Sequence, residues 1–210
     1  MNDFKWFDFE SYPFAERFPG NFSWIAGLPE WDAGLRRFPF NNPDDALIWL
    51  DAIRTARPTQ SAMLCPRVFV SHRQSDKDVA LRVAYLSWSK GFDFWIDVID
   101  LDPARNAQVR RLEASLGRPL NYLEKSILIA AIIEMALLNC THVIALMTVN
   151  TAGSQWVPYE YGRVKEARIR SSRVACWWDS TALRLGDLPE YLHLSQMNKN
   201  EAEILDWLQD

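Results

Sequence analysis

Trp156 and Glu160 stand four residues apart in the stretch TAGSQWVPYEYG, residues 151–162. On a helix that spacing puts an indole and a carboxylate on one face. The indole offers a flat wall for a ring to stack on, and the carboxylate can grip hydroxyls or face a developing positive charge. Thr151, Gly153 and Ser154, just ahead, are residues of loops and helix caps. Pro158 has no backbone N–H to give, so it belongs in a first helical turn, where donors lack intrahelical acceptors anyway. The stretch follows an apolar run, His142–Thr148. In an open α/β sheet the carboxyl end of such a strand is where ligands bind. A plainer alternative puts Trp156 in the core and Glu160 in water, and spacing alone favours it.

The elements that have to present this pair alternate between strand and helix. Arg67–Val70 is a short β-branched and aromatic strand running into Ser71-His72-Arg73-Gln74-Ser75-Asp76, where Ser75 or Asp76 can cap the next helix. Val79, Val83 and Leu86 give that helix its buried face, and Lys90-Gly91 its stop. Phe92–Ile96 is a second strand ending at Asp97, followed by the loop Val98–Pro103. Residues 104–139 read as helical with a break at Gly117-Arg118-Pro119, and Ile127–Leu138 is apolar nearly all round, hence central. His142–Thr148 and Val174–Trp178 are the third and fourth strands. Leu188–Leu194 is expected to add an edge strand and Asn200–Leu208 a closing helix. This alternation implies an α/β fold with a parallel sheet covered on both faces.

Composition narrows the partners. Of 210 residues, 49% are hydrophobic and 24% charged, which suits a globular chain with a substantial core. A formal net charge of −4 argues against a broad nucleic-acid footprint, which needs a basic face. The local basic runs Arg105–Arg111 and Arg163–Arg173 are interrupted by acids and read as solvated helix faces. Three widely spaced cysteines (Cys65, Cys140, Cys176) imply reduced thiols in a cytoplasmic protein. Neither they nor the three histidines have the spacing of a metal site. The N-terminal residues lack a signal-peptide pattern, and no apolar run is long enough to span a bilayer, so no membrane partner is expected. No two glycines are spaced as in a dinucleotide fingerprint or a Walker loop, so nucleotide phosphates would have to be held another way.

Residues 1–64 read as an extension to a main domain at 65–210. The extension opens with an aromatic arm, from Phe4 and Trp6 to Phe38 and Phe40, followed by a helix beginning near Pro43. So many large rings cost too much in water to form a free tail, so the arm is expected to pack on the main domain or a neighbour.

Four segments in this order resemble the Toll/interleukin-1 receptor (TIR) domain family. VFVSHR at Val68–Arg73 is similar to the family's first box, and GFDFWIDVIDLD at Gly91–Asp102 to its second strand and BB loop. IEMALLNCTHVIALMTVNT at Ile133–Thr151 resembles the helix–strand pair before the active-site loop. SQWVPYE at Ser154–Glu160 has the S-x-W-x-x-x-E arrangement of family members that cleave NAD+. The likeness covers about residues 66–178; Pro103–Leu120 is longer than the usual connection. It implies a flavodoxin-like sheet and one of two functions: a non-catalytic adaptor that self-associates, or an NAD+ glycohydrolase or ADP-ribosyl cyclase. The enzymatic members need the glutamate that matches Glu160. For bacterial relatives the implied setting is antiphage defence, with NAD+ depletion or a cyclic ADP-ribose isomer as the signal to a product-sensing effector.

The chemistry suits those residue types. Breaking the nicotinamide–ribose bond forms an oxocarbenium-like centre while nicotinamide leaves neutral, so no general acid is required. One carboxylate beside the ribose suffices, by the logic that serves glycosidases. NAD+ is then the substrate, and no further cofactor or metal is called for. In this frame Glu160 is the catalytic residue and Trp156 walls the ribose–nicotinamide pocket, with Trp95 as a second ring. Ser71, His72, Arg73 and Ser154 lie in the loops that meet the nucleotide. Arg73 is suited to the diphosphate, although a surface arginine beside a helix start is as good a description. His72 reads as a hydrogen-bonding group rather than a base. Asp97 matches a family aspartate at the strand end, with loop capping as its alternative. The resemblance also implies that a neighbour's BB loop, here Val98–Pro103, completes the site on self-association. Asp100 and Asp102 depart from members that carry a lysine there, which weakens the case for gating by this loop. A deoxyribosyltransferase-like enzyme, using the glutamate as a nucleophile on nucleosides, is a third possibility.

Overall fold

A computed structural model describes residues 66–96, 107–138, 140–151, 154–166 and 173–209. The extension at 1–64, Asp97 and the Val98–Pro103 loop lie outside the described residues.

Five parallel strands form one sheet: β1 (Arg67–Ser71), β2 (Asp93–Ile96), β3 (His142–Met147), β4 (Val174–Trp178) and β5 (Gln196–Asn198). Their order is β2-β1-β3-β4-β5, the flavodoxin-like arrangement. Between them run the helices α1 (Lys77–Ser89), α2 (Ala107–Leu116), α3 (Tyr122–Leu138) and α4 (Trp156–Glu166), and α5 (Glu201–Trp207) closes the domain.

β1, β3 and β4 are buried along their whole length, as strands covered on both faces must be. Side-chain alternation divides the core in two. Phe69, Trp95, Val143, Ala145 and Cys176 pack with residues of α2, α3 and α4. Val68, Val70, Phe94, Ile144 and Trp177 pack with α1 and α5. The Arg82 guanidinium bonds both carboxylate oxygens of Glu201 at 2.8 Å, joining α1 to α5 over this second face.

The punctuation follows local chemistry. Gly91 takes φ +84° where α1 turns into β2, the left-handed conformation expected of a helix-terminating glycine. The expected break between α2 and α3 is present, with Gly117 at φ +66°. Beyond it Asn121 and Glu124 cap each other: Asn121 Oδ1 accepts from the Glu124 N–H at 2.9 Å, and Glu124 Oε2 from the Asn121 N–H at 2.8 Å. At α5 the Asn200 side chain accepts from the Glu203 N–H.

The edge strand differs from expectation. Residues Glu190–Leu194 form a 3-10 helix, and the fifth strand comes later, at Gln196–Asn198. Pro189 precedes that helix without an N–H to give to a ladder, while Leu192 is buried in the core beside Tyr191. Among the described residues no helix is long and apolar enough to cross a membrane.

Candidate functional site

In this strand order the chain leaves β1 toward one face of the sheet and β3 toward the other. The carboxyl ends of β1 and β3 therefore meet at a topological switch point, where open α/β sheets have their ligand crevices. Ser71 is the last residue of β1, and its hydroxyl donates to Oε2 of Glu160 on α4. Ser71 is fully buried and Glu160 is 1% exposed. A carboxylate 89 residues away in sequence is thus held at the switch point by a strand-end hydroxyl.

α4 is shaped for this. It starts at Trp156, and Ser154 Oγ accepts from the Val157 N–H at 3.4 Å. Ser154 therefore serves as a cap, and Pro158 falls in the first turn as its missing N–H requires. Val157 and Tyr161 are buried in the core and set which side of α4 faces the sheet. Another buried carboxylate of this layer, Glu134 on α3, pairs with Arg163 Nε at 3.0 Å and accepts from the Tyr159 hydroxyl. Those two α4 residues flank Glu160 in sequence and bind the helix to α3.

Both halves of the plainer alternative for residues 156 and 160 are reversed. Glu160 is the buried member, while Trp156 is 40% exposed and meets the Tyr159 ring edge-on at 5.8 Å. The two therefore sit in different environments although their spacing keeps them on one side of the helix. The first helical residue is open to solvent, while the fifth is drawn to the end of β1.

The remaining candidates are distributed as follows. His72 is 4% exposed; its Nδ1 lies 3.0 Å from the Val70 carbonyl, which can only accept, so Nδ1 carries the proton. Burial pushes its pKa below the usual histidine value, so the ring is neutral and Nε2 is an acceptor. Nε2 has no hydrogen-bond partner among the described residues. That environment suits a hydrogen-bonding role. Arg73 is exposed, and its guanidinium donates to the Asn150 carbonyl in the loop after β3. Trp95 pairs in register with Phe69, one layer below Ser71 on the same face, and packs into the core.

Asp76 is a residue that the sequence presents only as a helix cap. It occupies the N-cap position of α1, yet its side chain makes no capping bond. It is buried and accepts instead from Thr148 Oγ1 at 2.8 Å and Asn150 Nδ2 at 2.7 Å. A polar residue five positions after the end of a buried strand is the local hint of this. Among the described residues, no group of three or more His, Cys, Asp or Glu side chains is placed to hold a metal ion.

Compared with family models, curated proteins and solved structures, the chain matches none.

Proposed function

We propose that the protein cleaves the nicotinamide–ribose bond of NAD+ as a TIR-type NAD+ glycohydrolase or ADP-ribosyl cyclase. One observation carries this: the Glu160 carboxylate, on the helix that follows β3, meets the Ser71 hydroxyl at the end of β1. Carboxyl-end crevices at such switch points are ligand sites, and a preorganised carboxylate is what an oxocarbenium-like transition state needs.

In this mechanism the ribose lies against Glu160. The C–N bond breaks, its electron pair leaves with nicotinamide, and the cation on the sugar faces the carboxylate. Ser71 orients that carboxylate by donating to one oxygen. Capture of the cation by water, with loss of a proton, gives ADP-ribose; capture by a nucleophilic atom of the same molecule gives a cyclic isomer. In this reading the exposed Arg73 meets the diphosphate, and the exposed Trp156 ring is available for stacking, worth about 0.5–1.5 kcal/mol. Self-association through the Val98–Pro103 loop completes the site, and the product signals to an effector in antiphage defence.

The test is chromatography of products after mixing purified protein with NAD+ over a range of protein concentrations. Nicotinamide and ADP-ribose or a cyclic isomer are expected, with specific activity rising as the protein self-associates. No nicotinamide at any concentration overturns the proposal. A non-catalytic interaction module is the competing reading, supported by the exposed Val149 and Trp156 near the crevice. It would retain its partner when Glu160 is replaced by Gln.

A further inference from the structure

We infer that Asp76 is a positioning residue: by clamping the loop after β3 to the loop after β1, it holds the Ser71–Glu160 contact in register. This deepens the proposed function and rests on it only for the activity readout.

The Asp76 side chain forgoes its ordinary job. An aspartate at an N-cap position stabilises its helix by accepting from the first-turn N–H groups, typically by about 1 kcal/mol. Asp76 makes no such bond. Both its oxygens instead take donors from the loop after β3, Thr148 Oγ1 at 2.8 Å and Asn150 Nδ2 at 2.7 Å, and Arg73 donates to the Asn150 carbonyl. A buried carboxylate held by two donors costs much to disturb, because losing either leaves polar atoms unsatisfied.

The loop so gripped leads into α4. Thr148 Oγ1 also accepts from the Asn150 N–H at 3.0 Å. Thr151 Oγ1 donates to the Leu146 carbonyl at 3.1 Å and accepts from the Thr148 N–H at 3.0 Å. The Ser154 N–H then bonds the Thr151 carbonyl at 3.0 Å, ahead of the first turn of α4. Asp76 thus fixes the start of the segment whose far end carries Glu160, while Ser71 lies five residues before Asp76 on the opposite side of the crevice. Displacing a reacting group by about 1 Å can cost on the order of a hundredfold in rate, so the clamp bears on chemistry without touching substrate.

The test uses the full chain and a reciprocal swap. Asn150→Asp sets two carboxylates against each other, and Asp76→Asn combined with Asn150→Asp restores a donor facing an acceptor. Two signals are followed: the Glu160 side-chain carboxyl 13C resonance, assigned by its loss in E160Q, and the kcat and KM for nicotinamide release. The single N150D change is expected to move the resonance and lower kcat by about tenfold to a hundredfold with little change in KM. The double swap is expected to return both toward wild type. A resonance unmoved by N150D, or moved and not restored by the swap, overturns the inference. If the resonance responds and is restored while no variant, wild type included, releases nicotinamide, the clamp stands and the proposed NAD+ chemistry falls.

Discussion

Glu134 and Glu160 are both buried glutamates on the same side of the sheet, 2% and 1% exposed, yet they are held in opposite ways. Glu134 meets a guanidinium and a phenol from α4, an arrangement that neutralises its charge and uses it to fasten one helix to another. Glu160 meets a serine hydroxyl at the end of a strand, a neutral donor that orients a carboxylate and brings no opposite charge of its own. Burial alone therefore does not mark a chemical residue. On the proposed function, the nature of the partner and its place relative to the switch point do.

The comparison breaks most visibly at Glu160. Glu160→Gln is expected to cut nicotinamide release by about a thousandfold, at the upper end for losing one preorganised electrostatic contact, while urea unfolding changes little. A variant that still releases nicotinamide at the wild-type rate would erase the distinction drawn here. Glu134→Ala should do the reverse. Removing one partner of a buried ion pair costs about 3–5 kcal/mol of stability, to be read from the urea midpoint.

Acid sharpens the comparison once unfolding is set apart from titration of the crevice. His142, packed edge-on by Phe92 and Trp207 at 5.0 and 5.6 Å, is held neutral by burial, with Arg173 adding to the effect, and its pKa is pushed down to about 4. The unfolded chain takes up a proton at this position below about pH 6.5. Stability is therefore fully present above that pH and falls as the solution is acidified toward 4, by up to about 1.4 kcal/mol per pH unit from this group. His142→Phe should flatten that slope, measured by urea unfolding at several pH values, and leave any activity profile between pH 6 and 8 unchanged. The smallest effect is assigned to Trp156. With 40% of its surface open to solvent, its replacement by Ala should raise KM by about twofold to tenfold, the equivalent of one stacking contact, with little change in stability.

Much of the sheet can be read directly from sequence because its strands are continuous apolar runs bounded by turn chemistry. Val68–Val70, His142–Met147 and Val174–Trp178 are of this kind. The fifth strand is not: QMN is three residues long, with only Asn198 buried, and nothing in its pattern competes with the more apolar EYLHL before it. The site was half legible. Spacing picks out Trp156 and Glu160, but their burial is decided by Val157 and Tyr161, which enter the core and rotate α4 accordingly. The Ser71–Glu160 and Asp76–Asn150 contacts join residues 89 and 74 positions apart. No local period encodes such pairs. Asp76 in particular has the sequence signature of a cap, and only the tertiary donors from Thr148 and Asn150 show that its side chain is used elsewhere.

The strands all point the same way, and this has a practical outcome. Lys90, exposed at the far end of α1, sits by the amino ends of the strands, on the side of the domain opposite Ser71 and Glu160. A fluorophore or a solid support attached there would leave the carboxyl ends of the strands facing open solution, so the residue is a natural point of attachment for testing the proposed self-association one molecule at a time.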